Sequence, residues 1–248
     1  MNTDYENTIG YVHKLETFAL VDGPGVRFAA FLSGCNMRCK FCHNPDTWTS
    51  KGERYTAKEL LDYAMRYKTY WRGNGGITVS GGEPLLQHDF VTSLFHLAKD
   101  HNIHTAIDTA GQPFSLSSDY LERFDELISV TDLFILDLKM MNNLGHKKLT
   151  GVSNENILEM ARYLSDKGKE MWIRHVLVPG VTDDENDLRF MFDFISSLNT
   201  VSKVEILPYH TLGIAKWKEL NIPYPLEDVP VPTKDQISRA EQLLHITK

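Results

Sequence analysis

The chain predicts an α/β fold, an incomplete (β/α)6 TIM-like barrel with an N-terminal extended segment. Three observations carry that expectation. Short apolar runs of strand length alternate with segments of helical period six times in succession. Short apolar strands among them, such as Leu133-Phe134-Ile135-Leu136, imply a parallel sheet covered on both faces. Polar or glycine-bearing motifs follow all six runs, whereas a doubly wound sheet concentrates its ligand at one switch point. Six units instead of eight would leave a wide side opening, able to admit something larger than a metabolite.

Ile9 to Phe18 reads as an early strand or extended segment, and Asp22-Gly23-Pro24-Gly25 as a turn. Val26 to Ser33 is a buried strand that ends at the first cysteine. Thr56 and Glu59 form a capping box before Leu60, Leu61, Ala64 and Met65, predicting a helix over 57–71. Ile77 to Ser80 is the next strand, leading through Gly81-Gly82-Glu83-Pro84 to a helix near 89–100. Ile103 to Ile107 leads through Asp108-Thr109 to a helix near 119–129, and Leu133 to Leu136 ends in Asp137-Leu138-Lys139. After a longer connection come a helix from Glu155 to Lys167, the strand Met171 to Val178 with Pro179-Gly180, and a helix over 184–198. Val204 to Leu207 ends in Pro208-Tyr209-His210, and the box Thr233 to Gln236 opens a last helix running to about 245.

Composition narrows the function classes. A formal net charge of −7 argues against a nucleic-acid footprint, which would show a basic excess. With 42% hydrophobic and 24% charged residues the chain reads as an ordinary globule, and no apolar run approaches the roughly 20 residues of a membrane span. No Gly/Ser linker, repeat or low-complexity run divides it, so one domain over 1–248 is expected. The absence of a signal-like segment points to a reducing, cytoplasmic setting.

All three cysteines fall within eight residues, at Cys35, Cys39 and Cys42. A disulfide would leave one over. A zinc site with His43 as fourth ligand is open to this donor set, although structural zinc usually joins two separated ligand pairs. A [4Fe-4S] cube normally takes one thiolate at each iron, so three thiols would leave one corner without protein sulfur. A single-cluster electron carrier would need neither the Gly81-Gly82-Glu83 turn nor six strand-end motifs. Asp108 and Asp137 end two of the strands; if both line one site, their charges call for a cation, either Lys139 or a metal with oxygen ligands.

The spacing C-x3-C-x2-C, with Gly81-Gly82-Glu83-Pro84 as a second mark, resembles the radical S-adenosylmethionine superfamily. Further segments resemble its glycyl-radical activating enzymes from residue 9 onward. They include Asp22 to Gly25, Cys42 to Pro45, Asp46 to Trp48, Leu136 to Lys139, Gly151 to Asn154, Trp172 to Arg174, Val178 to Gly180 and Leu207 to His210. The resemblance implies a [4Fe-4S] cluster on Cys35, Cys39 and Cys42, with S-adenosyl-L-methionine chelating the open iron. One electron passed into the sulfonium would give methionine and a 5'-deoxyadenosyl radical, which takes a hydrogen atom from a partner's glycine.

The resemblance further puts Gly81, Gly82 and Glu83 against the methionyl amino group, and Phe41, Cys42 and His43 near the adenine. It puts Asp137, Leu138 and Lys139 on the cofactor, and His210 on its ribose or adenine side. It implies a monovalent cation at Asp108, Thr109, Ile135 and Asp137, and a substrate contact at Asp22. The implied partner is the glycine loop of pyruvate formate-lyase or of a related glycyl-radical enzyme, with a flavodoxin or ferredoxin as electron donor and the chain a monomer. A small-molecule radical S-adenosylmethionine enzyme is the alternative. Arg174 and His175 receive no role. Relatives with an inserted ferredoxin-like domain carry extra cysteines, and this chain has none to spare.

Overall fold

The computed structural model describes residues 4–49 and 51–246. It falls into two compact units, Met1–Asn36 with Thr47–Ile135, and Met37–Asp46 with Leu136–Lys248.

The first unit contains β1 (Ile9–Ala19), β2 (Arg27–Leu32), β3 (Glu53–Thr56), α1 (Ala57–Met65), β4 (Gly76–Gly81), α2 (His88–Asp100), β5 (His104–Thr109), α3 (Ser118–Val130) and the start of β6 (Leu133–Asp137). Its hydrogen-bonded order is β3-β1-β2-β4-β5-β6. β1 lies antiparallel to both β2 and β3, whereas β2, β4 and β5 are parallel, with Phe28 opposite Ile77 and Ile77 opposite Thr105. β4 is buried along Gly76 to Ser80, as expected of a strand covered on both faces. In β1 burial varies along the strand, so the extended segment foreseen at the N-terminus is a partly exposed strand.

The second unit takes up β6 within the strand and continues with α4 (Asn143–Thr150), α5 (Glu155–Asp166), β7 (Glu170–Leu177), α6 (Glu185–Ser196), β8 (Val201–Pro208), α7 (Ile214–Glu219) and α8 (Lys234–Leu243). Here the order is β6-β7-β8, with β7 parallel to β8 and Arg174 opposite Glu205. Helix α5 buries Ile157, Met160, Ala161 and Leu164, one stripe at helical spacing. Each large apolar side chain of that stripe contributes about 1.5–3 kcal/mol of burial.

The strand order ends at β3 and β8, so the sheet is open, and the α/β class with its incomplete barrel is borne out. The elements depart from expectation in four places. Helix α1 stops at Met65, and the chain turns into a 3-10 helix at Lys68–Trp71 that tucks Trp71 inward, 4% exposed. β3 carries the polar run Glu53 to Thr56, which has no apolar alternation to reveal it. The connection after β6 contains α4, which buries His146, Leu149 and Thr150 and is opened by Asn142, whose side chain accepts from the Gly145 N–H. Asp187 fixes the approach to α4 by accepting from Met141 N at 2.9 Å and Asn142 N at 2.7 Å. Helix α7 occupies a stretch for which no helix is expected.

Candidate functional site

In the first unit the candidate residues gather at the ends of β4 and β5. Gly81 has φ +116°, and a Cβ there would collide with the Leu32 backbone. A Cβ on Gly82 would collide with the Gly34 carbonyl oxygen. This close approach lets Gly82 N donate to Leu32 O at 2.9 Å and Glu83 N to Gly34 O at 2.8 Å. Gly34 N in turn donates to Thr47 O at 2.7 Å, and Cys35 N to Trp48 O at 3.4 Å. The glycine turn and the entrance to the cysteine loop are therefore bound to each other through backbone.

Glu83 is fully buried, and its carboxylate faces inward. It accepts from Leu85 N at 3.0 Å, from Thr109 Oγ1 at 2.5 Å and from Ala110 N at 3.0 Å. Glu83 thus ties the end of β4 to the end of β5. Thr109 donates its hydroxyl to Glu83 and accepts from Gly111 N at 2.9 Å. Asp108 is half-buried and accepts from Ser80 Oγ at 3.0 Å. The Asp22 turn is held by its backbone, because Thr78 Oγ1 donates to Asp22 O at 2.6 Å.

In the second unit the cysteine loop is seated on the end of α4. Arg38 N donates to Thr150 O at 2.7 Å and Lys40 N to Leu149 O at 3.0 Å, so loop backbone meets the C-terminal carbonyls of α4. Cys42 N closes a turn onto Cys39 O at 3.0 Å. All three cysteines are reduced, Cys39 buried and the other two half-buried. Burial pushes the Cys39 thiol up to about 12, against the pull of Lys139. Lys139 is 7% exposed, 2.7 Å from Asp137 Oδ2 and 5.6 Å from the centre of the Phe41 ring.

His43 stacks on His210 with ring centres 3.9 Å apart and planes 14° from parallel. Its Nε2 lies 3.1 Å from His210 O, and burial followed by the His210 charge holds it below the ordinary histidine value, so a neutral ring donates Nε2–H. Leu138 is buried, its N–H donating to Arg174 O at 2.9 Å and its carbonyl 2.8 Å from His175 Nδ1. Ile135 is fully buried. Arg174 donates to Glu205 at 3.0 Å; burial works against the Glu205 charge, but Lys203 and Arg174 hold its carboxyl below the usual range.

The structure thus brings Gly82, Glu83 and Thr109 together in one unit, and Phe41, Lys139 and Asp137, and His43 and His210, in the other. Among the described residues no three of His, Cys, Asp and Glu gather as around a single ion. Two contacts on the cysteine segment were not foreseen. Trp217 Nε1 donates to Cys42 O at 2.8 Å, and Lys216 reaches Asn44 Oδ1 at 2.8 Å. The sequence carries no signal for either, since α7 is short and its partners are far away in the chain.

Comparison with known proteins adds three findings. The Radical SAM superfamily model matches residues 30–191. A pyruvate formate-lyase-activating enzyme of Streptococcus mutans is 52% identical over 98% of this chain and 93% of its own, and one of Listeria monocytogenes is 48% identical over 95% and 96%. Among solved structures, a domain of pyruvate-formate lyase-activating enzyme from Bacteroides vulgatus superposes with a TM-score of 0.57 at 27% identity, covering 69% of this chain and 93% of that one.

Proposed function

The chain belongs to the Radical SAM superfamily and, within it, to the pyruvate formate-lyase-activating enzymes, and from that premise we propose how its residues divide the work. The activity is formation of a glycyl radical on pyruvate formate-lyase. The [4Fe-4S] cluster and S-adenosylmethionine supply the chemistry, one electron cleaving the sulfonium to methionine and a 5'-deoxyadenosyl radical that takes the glycine hydrogen.

Cys35, Cys39 and Cys42 fit three corners of the cube, being three reduced thiols on one loop. Burial favours the protonated Cys39 thiol in the metal-free protein, and bound iron would supply the charge that lets it ligate as a thiolate. Gly81 and Gly82 would let the methionyl end of the cofactor lie against bare backbone. Glu83 contributes by holding that edge, since its carboxylate is already taken up by three donors. Lys139 and Asp137 would face the carboxylate and amine of the cofactor, with Leu138 between them. Phe41, His43 and His210 would flank its adenine and ribose. Asp108, Thr109, Ile135 and Asp137 are proposed to hold a monovalent cation, Thr109 with the lone-pair capacity its hydroxyl retains. Asp22 is proposed to meet the partner's glycine loop.

We read the chain as a single-domain monomer reduced by a flavodoxin or ferredoxin in the cytoplasm. Among the described residues no helix is long and apolar enough to cross a membrane. The observation that carries the residue assignment is the three-thiol loop bonded to the glycine turn at its entrance. Anaerobic incubation of the reduced protein with S-adenosylmethionine and pyruvate formate-lyase should give an organic radical by electron paramagnetic resonance, together with 5'-deoxyadenosine. Alanine at Cys35, Cys39 or Cys42 should remove both. Cleavage of the cofactor with no radical on the lyase would sink the assignment of its protein substrate.

A further inference from the structure

The segment that follows the third thiol is gripped by a part of the chain to which the reaction assigns nothing. Trp217 of α7 is 3% exposed and donates its indole N–H to the Cys42 carbonyl at 2.8 Å. One residue earlier, Lys216 Nζ lies 2.8 Å from Asn44 Oδ1 and 2.9 Å from Asp46 Oδ2. Gly213, just before α7, packs so closely that a Cβ there would lie 2.9 Å from His43 Cα and 3.3 Å from Cys42 O. The grip is itself braced. Tyr224 meets the Trp217 ring edge-on at 5.3 Å, and its hydroxyl lies 2.8 Å from that of the buried Tyr209. Cys42, His43, Asn44 and Asp46 are thus each held from the stretch between 209 and 217.

We propose that Trp217 and Lys216 are positioning residues for the iron–sulfur cluster, a latch that fixes the Cys42 peptide and through it the direction of the Cys42 sulfur. The proposal rests on the reading of Cys42 as a cluster ligand. Its physical basis is the cost of a partly buried carbonyl deprived of this donor. Without the indole N–H, the Cys42–His43 peptide gains by rotating toward water, and that rotation carries the ligating residue with it. Such outer partners commonly tune a metal site as strongly as tenfold or more. The Lys216 contacts are partly exposed and screened by salt, so they contribute less.

The test uses the full chain, reconstituted anaerobically, in the W217F and K216M forms. Phenylalanine keeps an aromatic ring against Tyr224 and removes the donor together with part of the buried indole volume. Iron release to a chelator, followed by loss of cluster absorbance, should be roughly tenfold faster in W217F. The reduced cluster should also show a changed electron paramagnetic resonance line shape. K216M should release iron about two to three times faster at low salt and match the wild type at high salt. Wild-type release and an unchanged signal in W217F overturn the latch. If W217F does not fold, K216M decides the matter, and a wild-type rate at low salt overturns it. C42A separates the two readings: a full cluster complement in that variant refutes Cys42 as ligand, whatever Trp217 does.

Discussion

Arg27 shows how one side chain can hold a surface turn from inside the protein. It is fully buried, and its guanidinium donates to Thr78 Oγ1 at 2.9 Å, Ile77 O at 2.6 Å, His104 O at 3.2 Å and Pro24 O at 3.4 Å. Burial lowers its pKa to about 10, with the charges of Asp132 and Asp22 opposing, so it stays charged at neutral pH. A fork of donors in fixed geometry suits four separate oxygens as no lysine could. Arg27→Met should therefore cost at least about 3 kcal/mol, because several buried carbonyls lose their donor at once. Urea unfolding of the two proteins would measure it. Arg27→Lys should recover only part of the loss, since one ammonium cannot span those acceptors. The same substitutions loosen Thr78, whose hydroxyl holds Asp22 O, so the contact proposed for the partner's loop is tied to a residue it never touches.

At the scale of elements, the strand-to-turn junctions carry more risk than the helices. The capping box of α1, Thr56 with Glu59, satisfies two end groups of one helix. Thr56→Ala should destabilise by about 1 kcal/mol in thermal or urea unfolding and leave cofactor binding unchanged. Gly82→Ala is a different kind of change, because the new methyl group meets the Gly34 carbonyl, which is backbone and cannot swing away. It should break the Glu83 N to Gly34 O bond and shift the entrance to the cysteine loop. We expect at least tenfold weaker binding of S-adenosylmethionine by calorimetry, an order-of-magnitude figure for one lost buried hydrogen bond and its strain.

What was legible in the sequence follows the same division. β6 is legible because a strand covered on both faces is a nearly continuous apolar run, β4 because its β-branched residues end in the glycine turn, and α5 because its buried stripe recurs at helical spacing. β3, α4 and α7 were not legible, since each is short and stabilised by partners elsewhere: β3 by β1, α4 by Asp187 and Asn154, α7 by the cysteine segment. The site divides likewise. Three thiols in eight residues and a glycine pair state their chemistry locally. The inward turn of Glu83 and the pairing of Arg174 with Glu205 depend on the ends and faces of neighbouring strands, which spacing along one strand does not disclose.

For the whole molecule, histidines set the response to acid. His88, His146 and His175 are 7%, 1% and 0% exposed, and burial is the leading cause that holds each below the ordinary value of 6.5. The Arg123 charge adds to it at His88, whereas the Val152 carbonyl opposes it at His146 and the Leu138 and Thr182 carbonyls at His175. The unfolded chain therefore binds protons near pH 6.5 that the folded chain refuses. Stability from these sites is complete above that value and declines as the pH falls through it toward the lower folded values. The melting temperature of the anaerobic protein should drop between about pH 7.5 and pH 5.5, before most carboxylates titrate, with proton uptake on unfolding detectable by calorimetry in two buffers. A flat melting temperature across that range would contradict the sign.

The bond from Trp217 to Cys42 joins residues 175 positions apart, and that separation has a consequence during synthesis. A ribosome adds about 5–20 residues per second. All three thiols leave the exit tunnel long before α4 and α7, the helices that seat and grip their loop, have been made. For on the order of ten seconds or more, the nascent chain carries these cysteines without the grip of α7. The contacts from α4 and α7 are therefore completed late in synthesis, and oxidants or stray metals would have their best access to these sulfurs on the unfinished chain. Thiol labelling of chains stalled before α7 should find all three cysteines reactive, with Cys39 becoming protected once the full length is released.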